Sequence, residues 1–174
     1  MKRFISALLI IVTIISMTVI PAQASEGWIT NKFEFGSFAP VVKFSIKGFE
    51  DKLWVTVDNN GYLTSTSNKD KARNFVILPA EEQGYYIIRD TNNPYLTLTF
   101  TPKGFRLMSS PENKYAMPIY QNNQKYKFIW KSNYPQGYND RKCSGWHLQC
   151  KSNKMIVSDV GYSVLGMWRT NNPD

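Results

Sequence analysis

A chain of 174 residues that is 43% hydrophobic, 14% aromatic and 20% charged is too apolar for a disordered protein and short enough for one domain. Its formal charge of +8 reflects 21 Lys and Arg against 13 Asp and Glu, and one His with two Cys is too few for a dedicated Cys/His zinc centre. Zinc fingers and most His-centred metalloenzymes are thereby excluded, and with no Gly-rich phosphate loop in the sequence no cofactor is expected.

Residues 1–24 read as an export signal. Lys2 and Arg3 precede an apolar run over residues 4–20, and Ala22 and Ala24 supply an A-x-A cleavage site before Ser25. No Cys lies near the cut, which argues against a lipoprotein anchor, and no later stretch reaches the roughly 18 apolar residues that a spanning helix needs. The expectation is a secreted chain, or a periplasmic one before release, whose charge is +6 once Lys2 and Arg3 are removed.

Residues 25–40 form an aromatic arm containing Trp28, Phe33, Phe35 and Phe38, in which Gly36-Ser37 and Pro40 argue against one long strand. Two readings stand for it: an exposed arm that docks onto a partner chain, or a strand that closes a barrel.

Residues 41–174 are expected to form an all-β domain. Runs such as Val41-Val42-Lys43-Phe44-Ser45-Ile46 and Tyr95-Leu96-Thr97-Leu98-Thr99-Phe100 are rich in β-branched and aromatic residues, and helical periodicity is almost absent. Turn signals at Asn59-Asn60-Gly61, Asn92-Asn93-Pro94, Pro102-Lys103-Gly104, Ser109-Ser110-Pro111 and Pro135-Gln136-Gly137 are spaced as in a sandwich or a barrel.

An internal repeat narrows the choice. Asn59-Asn60-Gly61-Tyr62-Leu63-Thr64-Ser65-Thr66 recurs 33 residues later as Asn92-Asn93-Pro94-Tyr95-Leu96-Thr97-Leu98-Thr99, with six of eight positions identical. Residues 53–57, 86–90 and 146–150 each read as a strand leading into such a turn and a second strand that begins at Tyr62, Tyr95 or Met155. The spacing between the second and third copies places a turn-rich insertion between Pro102 and Lys142.

Three such units, with Gly84-Tyr85-Tyr86-Ile87-Ile88-Arg89 followed by Asn93-Pro94-Tyr95-Leu96-Thr97, resemble a β-trefoil repeat of the ricin-type lectins. Their Gln-x-Trp motif with a following Phe is echoed by Gln124-Lys125-Tyr126-Lys127-Phe128, with Tyr in place of Trp, and more distantly by Ala72-Arg73-Asn74-Phe75. With the signal and the size, the pattern is similar to the binding subunits of bacterial toxins, such as the A and C subunits of cytolethal distending toxin. The resemblance, which covers residues 41–168, implies a β-trefoil domain at residues 41–174, binding of a cell-surface glycan or glycoprotein, and other toxin subunits as partners through the arm; another antiparallel sandwich or barrel is the alternative.

Candidate chemistry follows from a few residue groups. Cys143 and Cys150 are expected to pair in an oxidising compartment. Arg141, Lys142, Lys151 and Lys154 bracket that loop as a basic rim suited to anionic surfaces, without the regular aromatic interleaving of a nucleic-acid groove. His147, between Trp146 and Leu148, reads as a solvent-facing strand residue, and Glu81-Glu82 as a solvated turn. Asp51, Asp90, Asp140 and Asp159 show no carboxylate spacing that sequence can establish.

The leading ligand candidates are two hairpins that combine aromatic planes with hydrogen-bonding groups, as sugars require. The first holds Trp54, Asp58, Asn59, Asn60 and Tyr62, and the second holds Tyr86, Asp90, Asn92, Asn93 and Tyr95. The competing reading makes the Tyr residues core and the Asn residues turn formers. The function expected is a non-catalytic binding module for glycans or a host cell surface. The alternatives are an extracellular protease inhibitor, using a loop such as residues 134–141, and a small secreted hydrolase.

Overall fold

The computed structural model describes residues 25–30, 39–46, 52–101, 103–111, 114–121, 125–130, 146–151, 154–158 and 163–170. Residues 1–24, and with them the expected export signal, lie outside that set, as do Phe33, Phe35, Phe38, Asp51, residues 134–141, Arg141, Lys142, Cys143 and Asp159.

The chain is all-β. Its strands are β1 (Gly27–Trp28), β2 (Val41–Ile46), β3 (Trp54–Val57), β4 (Leu63–Thr66), β5 (Asn74–Pro79), β6 (Tyr86–Asp90), β7 (Leu96–Thr101), β8 (Gly104–Ser109), β9 (Tyr115–Gln121), β10 (Lys125–Trp130), β11 (Trp146–Lys151), β12 (Lys154–Ser158) and β13 (Leu165–Arg169). A short 3-10 turn, Lys69–Lys71, separates β4 from β5.

Six strands close into an antiparallel barrel. Around the ring, β2 pairs with β5, β5 with β6, β6 with β9, β9 with β10, β10 with β13, and β13 returns to β2. The remaining six long strands form three hairpins, β3–β4, β7–β8 and β11–β12, each inserted between two ring strands that are consecutive around the barrel. The described residues from β2 to β13 thus run through three units of four strands.

Period-two patterning explains the barrel interior. Val42, Phe44 and Ile46 of β2, Phe75 and Ile77 of β5, Tyr126, Phe128 and Trp130 of β10, and Leu165 and Met167 of β13 are buried at alternate positions. Phe44 packs against Phe75 and Phe128 with ring centroids 5.4 and 5.5 Å away. Phe105, from a hairpin, meets Trp130 at 4.5 Å, so a hairpin side chain fills the barrel core.

The hairpins also meet one another. Thr64 of β4 pairs with Lys154 of β12, Leu107 N–H of β8 donates to Gly61 O at 2.9 Å, and Tyr62 forms a bridge with Arg106. Two glycines permit this approach: Gly61 has φ +82° and Gly104 φ +136°, and a Cβ on Gly104 would lie 3.1 Å from Met155 O of β12.

Three sequence expectations are corrected here. The sequence repeat is out of frame with the structural one, because its first and third copies are the hairpins β3–β4 and β11–β12. Its second copy spans ring strand β6, the corner at residues 91–95, and β7, which meets β6 at Arg89 opposite Thr97 but forms its hairpin with β8. Asn-rich turns followed by Tyr-Leu-Thr suit a corner as well as a hairpin, so likeness of turn chemistry did not give likeness of place.

The second correction concerns the expected insertion between Pro102 and Lys142, which contains β8 and two ring strands, β9 and β10. Pro118 sits within β9, opposite Phe128, where a proline in a run argues against a strand. The third is the arm. Gly27 and Trp28 pair with Arg169 and Trp168 beside the end of β10, and Ile29 N–H donates to Met167 O at 2.9 Å, so this part of the arm is a short strand laid on the barrel. The ring itself closes through β13 and β2 rather than through this segment.

Replacing Gly104 with Ala should destabilise the fold by about 1–3 kcal/mol, since it strains a backbone only glycine readily adopts and crowds Met155 O. Chemical denaturation of Gly104→Ala beside Gly84→Ala, whose Cβ would meet nothing within 4 Å although its φ is +85°, separates the crowding from the strain.

Candidate functional site

The first predicted hairpin is held by its own polar groups. Asp58 Oδ1 accepts from Asn60 N–H at 2.9 Å and Tyr62 N–H at 2.8 Å, so the carboxylate caps the turn rather than standing ready for a ligand. Arg106 of β8 donates through Nε to Asn60 O at 2.9 Å and lies over the Tyr62 ring at 5.2 Å. Trp54, expected on this hairpin as an exposed stacking plane, is fully buried at 0% exposure, so it offers no open face.

The second group is a corner between a ring strand and a hairpin. Asp90 is entirely buried and receives both Arg73 Nε and Nη2 at 2.6 Å in a bidentate pair, and its Oδ2 also accepts Asn93 N–H at 3.1 Å. Asp90 is therefore a structural anchor and not a sugar-facing group. Thr91 Oγ1 donates to Asn74 O, which ties the corner to β5. Asn93 Oδ1 accepts Tyr95 N–H at 3.1 Å, and Asn93 O accepts Leu96 N–H at 2.9 Å. Asn92, Asn93, Pro94 and Tyr95 project from this fixed base, all exposed, with Tyr95 at 82%. The two predicted groups attach to different elements, the first to β8 and the second to β5.

Trp28 and Trp54 meet in a cluster that spans the chain. Their rings stack at 5.8 Å with planes 8° apart, and Trp168 of β13 stands edge-on to Trp28 at 5.2 Å. Register explains the arrangement: Trp28, Trp168 and Lys43 are cross-strand neighbours on β1, β13 and β2, while Met167 and Phe44, one residue away, point into the barrel. Lys69, from the 3-10 turn, lays its Nζ 3.3 Å from the centroid of Trp168 and 5.3 Å from that of Trp54. Lys43 Nζ donates to Lys69 O at 3.2 Å, and Trp168 Nε1 donates to Glu26 Oε1 at 2.9 Å.

Lys43, Lys69, Glu26 and Trp168 were not among the predicted site residues. Alternation in Leu-Gly-Met-Trp-Arg marks Trp168 as an outward strand residue, and Asn68 before Lys69 carries a helix N-cap signal. No local pattern joins positions 28, 54, 69 and 168.

The other predicted residues are placed as follows. Lys151 is exposed at the end of β11 and pairs by register with Lys154, whose backbone meets Thr64. Cys150, half-buried on β11, donates its N–H to Ser163 Oγ at 2.9 Å. The proposed partner Cys143 and the rest of the basic rim, Arg141 and Lys142, belong to the residues outside the described set. His147 lies on β11 between Ile129 of β10 and Ser158 of β12, and Glu81 and Glu82 sit in an exposed turn between β5 and β6. Among the described residues no three metal-ligating side chains gather, and no helix is long and apolar enough to cross a membrane. Compared with protein-family models and with curated proteins, the chain matches none.

Breaking the buried pair tests which polar groups hold the corner. Asp90→Ala should cost roughly 3–5 kcal/mol, toward the lower end because Arg73 keeps 29% exposure and can rehydrate. Asn92→Ala should stay within about 0.5 kcal/mol of the wild type, as befits an exposed position. Urea denaturation of both variants checks the contrast.

Proposed function

We propose that this chain is an exported, non-catalytic binding module of the β-trefoil type that recognises glycans or glycoproteins on a cell surface. The ring of six strands with three inserted hairpins supports the trefoil reading. The observation that carries the functional reading is Tyr95, a large aromatic ring 82% exposed on a corner that internal bonds have made rigid.

The chemistry matches what a sugar needs. A phenol face packs against the C–H side of a pyranose, and a preorganised corner loses little entropy on binding. Asn93 spends its carbonyl oxygen within the corner, on Tyr95 N–H, which leaves its amide N–H groups to donate to sugar hydroxyls. The charge of +6 after leader removal adds a salt-sensitive attraction to anionic cell surfaces.

A glycan array probed with the wild-type chain and Tyr95→Ala tests this reading. The expected result is selective binding by the wild type and at least a roughly tenfold loss in the variant, about 1.4 kcal/mol, with an unchanged melting temperature. Absence of any glycan ligand, or equal binding by both proteins, rejects the corner as a sugar site.

A further inference from the structure

We propose that the tryptophan cluster on the outside of the barrel is a second site, which takes a quaternary ammonium head carrying a phosphate, the phosphocholine class, and that Lys69 is its resident occupant. The Lys69 ammonium already sits where a ligand cation would, 3.3 Å from the Trp168 centroid and 5.3 Å from that of Trp54. No carboxylate among the described residues pairs with it, so the indole faces supply the attraction.

An ammonium on an indole face gives up water from three N–H donors that the ring replaces only in part. A quaternary ammonium has no N–H to satisfy and gains more from the same planes, which is why aromatic cages select it. Trp28, stacked on Trp54 and edge-on to Trp168, braces the two rings that meet the ammonium.

The backbone beneath Lys69 is fixed while its side chain is tethered only by its stem. Asn68 Oδ1 accepts Asp70 N–H at 2.8 Å, and Lys69 O accepts Ala72 N–H at 3.1 Å and Lys43 Nζ at 3.2 Å. Withdrawal of the four-carbon chain therefore opens the faces without unfolding the turn.

Charge selects the rest of the ligand. Lys43 stays beside the cage whether or not Lys69 is present and attracts an attached phosphate, while Glu26, which accepts Trp168 Nε1–H, adds a carboxylate that favours the cationic head. The Trp54 indole N–H is buried in the same cluster with no acceptor among the described residues. One ammonium and one carboxylate beside the rings suit a zwitterion.

The test titrates the full chain with phosphocholine and with phosphoethanolamine, followed by indole fluorescence and calorimetry. Lys69→Ala should bind phosphocholine about tenfold tighter than the wild type, as expected when a competing side chain fills the site some nine-tenths of the time. Lys69→Gln, which keeps most of the stem, is the second variant should Lys69→Ala fold poorly. Phosphoethanolamine should bind either variant at least tenfold more weakly than phosphocholine, and adding Trp168→Ala should abolish the signal.

Vesicles of phosphatidylcholine and of phosphatidylglycerol separate the sources. Sedimentation with phosphatidylcholine alone places the ligand in a bilayer, whereas binding of soluble phosphocholine without sedimentation places it on a small molecule or a decorated glycan. No saturable phosphocholine binding by a folded Lys69 variant, or equal binding of phosphoethanolamine, overturns the proposal. Tyr95→Ala should leave phosphocholine binding unchanged, so failure at the glycan corner and failure at this site are distinguishable.

Discussion

The pairing of β13 with β2 joins the end of the described chain to its beginning, and the remaining architecture depends on it. Gly166 through Arg169 run against Ser45 through Val42, which turns an open sheet into a ring and removes its two exposed edges. Closure directs Phe44 and Met167 inward at neighbouring positions and leaves Lys43 and Trp168 outside. A barrel of six strands encloses too little volume to bury its aromatic residues alone, so Phe105 and other hairpin side chains complete the core. The three hairpins meet at Thr64, Lys154, Gly61 and Leu107, where glycine conformations allow backbone to approach backbone.

The same closure decides which polar residues are spent and which remain available. Asp90 lies at the end of a ring strand, where burial requires a partner, and Arg73 at the entry to β5 supplies it. This pair fixes the base of the corner, so Asn92, Asn93 and Tyr95 project from a rigid support. Asp58 performs a local version of the same task on the first hairpin by accepting two backbone N–H groups. Acidic residues that look alike in sequence thus serve to shape turns, while Tyr95 beyond the second of them stays exposed.

On the opposite account, apolar surface outside the barrel is covered by residues from four separate parts of the chain. Trp28, Trp54 and Trp168 would leave a broad apolar patch on the wall, and Lys69 covers it with its methylene stem and its charge. Covering by a long, tethered side chain leaves the patch openable, unlike the locked packing of Phe44 against Phe75 and Phe128.

Much of this was determined locally. Alternating apolar residues in Val41–Ile46 and Leu96–Thr101, with Asn, Gly and Pro between runs, specify strands and turns because a pleated backbone with one buried face has a period of two. The count of three units was legible too, but its frame was not. Near-identical Asn-rich segments at residues 59–66 and 92–99 occupy a hairpin and a corner, since turn chemistry reports a local bend and carries nothing about the strand's partner. The strand over Tyr115–Gln121 was hidden by Pro118, whose missing N–H the sheet tolerates. Tertiary structure alone decided that Asp90 would be buried against Arg73, that Trp54 would lose its open face, and that Trp28, Lys69 and Trp168 would meet. Those contacts join residues 17 to 140 positions apart: pairing of β5 with β6 sets Asp90 beside Arg73, and pairing of β1 with β13 sets Trp28 beside Trp168, and strand register of this kind is decided by tertiary structure.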